Sequence, residues 1–461
     1  MRIRRFRGVS LKQISTVECF TLAMTVMRFS AAPAGRLSDR TIPWSIFGDQ
    51  VANPDGLEDS ALAGANLASI ASSAGSPMFE KTSLFGAHVA AQSLGRDPAA
   101  PVVVFVHSYG YEPRRPVLAR ARSDNPHRCL YHFCETESGP GSREERQRHT
   151  TPWLSRIMLP GGQGAIGDCE GLAVTYAYAS QGGFHLGNFP SRPAGFLSPA
   201  GAWQPWRQPN LPYANAYADA ESAGQGLAAI LSQLRFRLNG EGLSKKPIDV
   251  FCHGLGARVI MIALKMLSAR RRFDPAIAGM GRIVLVNGAC YWGQAAEALV
   301  GMVFADMEDG PTFYNFTNRS DRILRHLGAR ATQKKPFDQA SANLSVDAES
   351  AKLLRGGRTI GLHGAPPSEL YAFGGDTPSQ WVDLDVHSRR FRRWARSRGF
   401  APRSRVYSDG DHWGSLSHPS AWDIYRSILQ RDPRTEPEEI YDEMLAPDVV
   451  EGVSGKLANA V

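Results

Sequence analysis

The stretch Ile248-Asp249-Val250-Phe251-Cys252-His253-Gly254-Leu255-Gly256-Ala257-Arg258-Val259 decides the fold. Its first half is a short β-branched and aromatic run, and its centre is a turn of small residues. From Leu255 onward, Val259, Ile260, Ala263, Leu264 and Leu267 recur at helical spacing. A strand that turns so tightly into a helix is a unit of a parallel sheet with crossover helices. Besides 248–252, apolar runs occur at 102–107, 172–179, 283–286, 313–317 and 405–407, each ending in polar or small residues. Between them, 213–238 sets Leu227, Ile230, Leu231 and Leu234 on one helical face, as 255–267 does with its own apolar residues. The expected class is α/β, a mainly parallel sheet flanked by helices, with ligands at the carboxyl ends of the strands.

The chain has 461 residues, 43% hydrophobic and 21% charged, which supports a substantial core and excludes disordered and collagen-like classes. The expected organisation runs from a disordered or over-extended start at 1–40, through a poorly defined region at 41–100, to the sheet domain at 101–431 and a tail at 432–461. Irregular stretches near 188–210 and 329–400 read as cap-like insertions over the ligand end of the sheet. The formal charge is +8, but eight Lys or Arg against Glu18 and Asp39 put +6 of it in the first forty residues, so no nucleic-acid surface is expected. Arg389, Arg390, Arg392, Arg393, Arg396 and Arg398 form a local basic run in which Phe391 and Trp394 point to a helix with a solvated face. No run of 18 apolar residues occurs, so no transmembrane helix is expected. The start resembles a secretory signal interrupted by Glu18 and Arg28; the expected location is cytoplasmic, with secretion left open.

Six cysteines without a CxxC pair do not form a disulfide framework. His127, Cys129, His132 and Cys134 are zinc-type ligands, but their spacing is unfamiliar for a structural site, and 129–134 reads instead as a buried strand. Neither GxxxxGK[ST] nor a strand-linked GxGxxG is present. No metal and no cofactor are therefore expected.

The turn at 252–256 resembles the nucleophile elbow of the α/β-hydrolase family, in which Gly-x-Ser-x-Gly lifts a serine above the sheet. His253, Leu255 and Gly256 match the frequent His-Ser-Leu-Gly form, while Cys252 stands at the first glycine and Gly254 at the serine. The resemblance covers about 100–430 and keeps the family's chain order of nucleophile, acid and base. Asp321, after the run 313–317, matches the acid; it also reads as the N-cap of a helix starting near Ile323. His412, in Ser408-Asp409-Gly410-Asp411-His412-Trp413 after the run 405–407, matches the base. The stretch Val102-Val103-Val104-Phe105-Val106-His107-Ser108-Tyr109-Gly110-Tyr111 resembles the first oxyanion loop, so the backbone N–H of Ser108 or Tyr109, together with that of Leu255, is the implied oxyanion hole. His107 and His253 read as structural histidines at strand ends, and His418 as a solvent-facing turn histidine.

The resemblance implies the α/β-hydrolase fold with cap-like insertions, and serine-hydrolase chemistry on esters or other acyl compounds. In that chemistry the carboxylate orients the imidazole, the imidazole takes the hydroxyl proton and the oxygen attacks a carbonyl. Gly254 has no such oxygen, so the expected protein is a family member impaired at its nucleophile. Two alternatives stand beside it: an active hydrolase using His412-activated water or another nucleophile, and a non-catalytic ligand-binding or interaction protein on the same scaffold. Cys252 and Ser108 both read as poor substitute nucleophiles. An elbow residue at positive φ costs about 1–3 kcal/mol unless it is glycine, so Gly254→Ser is expected to restore a triad and lower stability by about 1 kcal/mol. A small-molecule acyl or ester ligand is the expected partner, with Trp203, Trp206, Phe373, Trp381 and Trp413 as candidates for its pocket.

Overall fold

The computed structural model describes residues 24–32, 45–51, 69–71, 101–111, 130–131, 153–158, 171–178, 180, 211–269, 274–303, 310–325, 358–366, 381–400, 412–417 and 419–445. The strands are β1 (Met24–Ala32), β2 (Ser45–Val51), β3 (Ser69–Ala71), β4 (Val102–Val106), β5 (Gly171–Tyr178), β6 (Ile248–His253), β7 (Met280–Val286), β8 (Thr312–Thr317) and β9 (Trp381–Asp385). Among the described residues they form one nine-stranded sheet in the order β3-β2-β1-β5-β4-β6-β7-β8-β9. From β1 to β9 every neighbouring pair is parallel; β2 and β3 extend the other edge antiparallel.

The helices are α1 (Trp153–Met158), α2 (Leu211–Gly240), α3 (Leu255–Ser268), α4 (Pro275–Ala278), α5 (Trp292–Val303), α6 (Ile360–His363), α7 (Arg389–Ser397), α8 (Gly414–Ser417), α9 (Pro419–Leu429) and α10 (Pro437–Leu445). They cover both faces of the sheet, which is why its central strands are near-continuous apolar runs. Val102, Val104 and Val106 of β4 share a core with Leu227 and Leu231 of α2 and with Val259 and Leu264 of α3. Val103 and Phe105 pack on the opposite face with Trp153, Phe251, Trp422 and Tyr425. Asp249, the second residue of β6, is fully buried; its carboxylate accepts from Arg282 N–H (2.7 Å) and from both terminal nitrogens of Arg431 (2.7 and 2.8 Å). A buried charge is tolerated because it is paired and hydrogen-bonded in this way.

The α/β class and the largely parallel sheet are as the sequence indicates. Four features differ. Met24–Ala32, inside the forty residues set aside at the start, is a strand pairing parallel with β5. Its Thr-Val-Met-Arg-Phe core is β-forming, a character concealed by the resemblance to an interrupted signal segment. The stretch 329–400 is not all insertion, because β9 and α7 lie within it. β9 is the last strand described, and the run 405–407 lies outside the described residues. Leu130 and Tyr131 are buried turn residues and not strand, and the tail begins with a short 3₁₀ turn and α10. In α7, Phe391 and Trp394 are buried beneath a basic face, as their spacing indicates.

Candidate active site

The site begins at the turn between β6 and α3. Gly254 takes φ 51° and ψ −117°, in the left-handed region that costs a non-glycine residue about 1–3 kcal/mol. Its N–H donates to Val286 O (3.0 Å), and its carbonyl accepts from Ala289 N (2.8 Å) and Ala257 N (3.1 Å), which ties the turn to the end of β7. At Gly256 a β-carbon would lie 2.5 Å from Val106 O and 2.8 Å from His107 O. The missing side chain is what lets α3 begin against the end of β4.

Asp321 follows β8 and is fully buried. One carboxylate oxygen accepts from Leu324 N–H (2.9 Å), and the other accepts from His412 Nδ1–H at 2.5 Å. The two readings of this residue, helix cap and histidine partner, are thus carried by separate oxygens. With Nδ1 donating, Nε2 of His412 presents its lone pair, and it lies 3.5 Å from Ser108 Oγ. The backbone oxygen of His412 accepts from Asn287 Nδ2 (2.7 Å) and from His253 Nε2 (3.2 Å). His253 therefore braces the loop that holds the imidazole. Asn287 sits at φ 49° directly after β7, a conformation that Asn tolerates better than most residues. Its role is not legible in the sequence, since an asparagine after a strand reads only as a turn residue.

Ser108 stands at the end of β4 and is 1% exposed. Its Oγ accepts from Leu255 N–H (3.3 Å) besides facing His412. Its carbonyl accepts from His107 Nδ1 (2.7 Å) and from Ser180 Oγ–H (2.8 Å). His107 Nε2 accepts from Tyr178 N–H (2.9 Å), an obligate donor, so the proton of this imidazole belongs on Nδ1. Burial lowers the His107 pKa from 6.5 to about 3, partly opposed by the bonds to Ser108 and Tyr178, and keeps the ring neutral. The unfolded chain therefore binds this proton before the folded one does. Stability from this residue is complete above about pH 6.5 and is lost as pH falls toward about 3. Urea denaturation across that window is expected to lose up to about 1.4 kcal/mol per pH unit from this one group. His107→Gln, which keeps a donor and an acceptor, should flatten the slope; an unchanged slope would sink the assignment.

Ser108, Tyr109, Tyr213, Leu255, His412 and Trp413 line a small cleft at this end of the sheet. Gly254, Asp321, His412, Ser108 and Leu255 are thus gathered at one end of the sheet, as their sequence positions suggest. Trp413 borders the cleft, but Trp381 lies in β9, stacked on Phe313 at 4.9 Å with its N–H on Asp383. Cys252 is fully buried on β6, and desolvation pushes its thiol well above the usual range, which leaves it un-ionised. Trp203, Trp206, Phe373, His418 and the group His127, Cys129, His132 and Cys134 lie outside the described residues. Among the described residues no cluster of His, Cys, Asp or Glu suits a metal ion, and no helix is long and apolar enough to cross a membrane. No protein-family model, no curated protein and no solved structure matches the chain.

Proposed function

We propose that this protein is a hydrolase of esters or related acyl compounds on an α/β-hydrolase-like scaffold, with His412 as general base and Asp321 as the carboxylate that orients it. The observation that carries this reading is the 2.5 Å Asp321–His412 pair, whose Nε2 lies 3.5 Å from Ser108 Oγ beside a cleft that both residues line. A buried carboxylate on Nδ1 fixes the tautomer that leaves Nε2 able to accept a proton, and it stabilises the imidazolium formed during reaction. The Leu255 N–H at the start of α3 is a candidate donor to a developing oxyanion, as are the N–H groups of Ser108 and Tyr109. The stretches 188–210, 329–357 and 367–380, which lie outside the described residues, are candidates for a cap that selects the acyl ligand.

An impaired enzyme was the first expectation, because Gly254 carries no nucleophile. That reading weakens because a hydroxyl group lies beside His412 despite the glycine. The purified chain should hydrolyse short p-nitrophenyl esters with saturation. His412→Ala is expected to lower the rate by at least about a thousandfold. Equal hydrolysis by parent and variant would reject the assignment.

A further inference from the structure

We infer that Ser108 is the nucleophile of this site, supplied by the strand beside the elbow and not by the elbow itself. This rests on the acyl-hydrolase reading and adds to it the atom that attacks. β4 and β6 are parallel neighbours, with Val106 level with Cys252. Two residues further along the same register, Ser108 stands beside Gly254. A β-carbon built on Gly254 falls on the Ser108 hydroxyl and lies 2.8 Å from His412 Nε2. The space an elbow side chain would fill is therefore already filled by Ser108 Oγ. A side chain at 254 would force the Ser108 hydroxyl out of this position, so the glycine is what leaves room for it here.

The surroundings of Ser108 Oγ suit attack. Its two polar partners are an imidazole nitrogen that can accept its proton (3.5 Å) and the Leu255 N–H (3.3 Å). The first distance is long for a hydrogen bond, as is common before substrate closes a site. The backbone is held on its other side, where the Ser108 carbonyl takes bonds from His107 and Ser180. Those bonds fix the direction of Cα–Cβ, which is the preorganisation a nucleophile needs. The other candidate, Cys252, is un-ionised and buried among apolar side chains.

The chemistry balances with water as the only co-reactant. As the bond from Oγ to the carbonyl carbon forms, the hydroxyl proton passes to His412 Nε2 and the carbonyl π pair moves onto its oxygen. Collapse of that oxyanion breaks the bond to the leaving oxygen, which takes the proton from Nε2 and departs as an alcohol. Water then gives its proton to Nε2 while attacking the acyl-serine ester. The second collapse releases the carboxylic acid and returns the proton to Oγ. The Leu255 N–H that bonds Oγ is also the candidate donor to the oxyanion on the carbon that Oγ attacks.

The test is to treat the full chain with a fluorophosphonate probe and map the adduct by peptide mass spectrometry, alongside ester turnover by the parent, Ser108→Ala and His412→Ala. The expected result is an adduct on Ser108, with labelling abolished and turnover down at least about a thousandfold in Ser108→Ala. The mapping uses the unaltered chain, so it decides the matter even if that variant folds poorly. An adduct on another residue, or turnover by Ser108→Ala within about tenfold of the parent while His412→Ala is dead, overturns Ser108 and leaves the hydrolase reading in place. Absence of both labelling and turnover in the parent overturns the two together.

Discussion

Asp321→Asn is expected to lower kcat by about 10⁴-fold while leaving the fold nearly as stable as the parent. Asparagine keeps an oxygen for the Leu324 N–H, so the helix start after β8 remains capped. Its amide group, turned toward His412, donates to Nδ1 where the carboxylate accepts. The imidazole proton then moves to Nε2, which can no longer take a proton from Ser108 or from water. Steady-state kinetics with a thermal melt separates this from a folding defect. A variant within about tenfold of the parent would remove Asp321 from the mechanism, and a large fall in melting temperature would make it a structural residue.

Gly254→Ala should lose at least about a thousandfold in kcat/KM, and it should cost about 1–3 kcal/mol of stability because alanine is strained at φ 51°. The activity loss has a separate cause, since the new β-carbon displaces Ser108 Oγ and crowds His412 Nε2. The same crowding bears on Gly254→Ser: if Ser108 is the nucleophile, a serine at 254 is expected to compete with the Ser108 hydroxyl for that space and not to raise activity. The paired exchange of Ser108→Gly with Gly254→Ser returns the hydroxyl to the elbow and should recover activity that either change alone removes. A single Gly254→Ser variant faster than the parent would show that Ser108 is not in the way.

The central strands were legible because strands buried on both faces carry unbroken apolar runs, and α2 and α3 because their apolar residues keep helical spacing. Asp321 and His412, which the structure brings together, each follow an apolar run in the sequence. β9 was hidden because Asp383 and Asp385 interrupt Trp381, Val382 and Leu384, so it reads as a polar loop. Asn287 was missed, and His253 was read only as a structural histidine, because both act on the backbone oxygen of His412 and no motif encodes that contact. Ser108 was visible as a strand-end residue but was read as an oxyanion-loop member. Only the β4–β6 register brings it level with Gly254, and strand register cannot be read from either segment alone.

The most direct measurement is a stopped-flow trace of p-nitrophenyl acetate hydrolysis with the chain at a concentration close to that of the ester. Acyl transfer through a His412-activated hydroxyl gives a burst of p-nitrophenol equal to the amount of protein, then a slower steady state, and no burst in His412→Ala. A trace with no burst that runs equally fast in His412→Ala contradicts it.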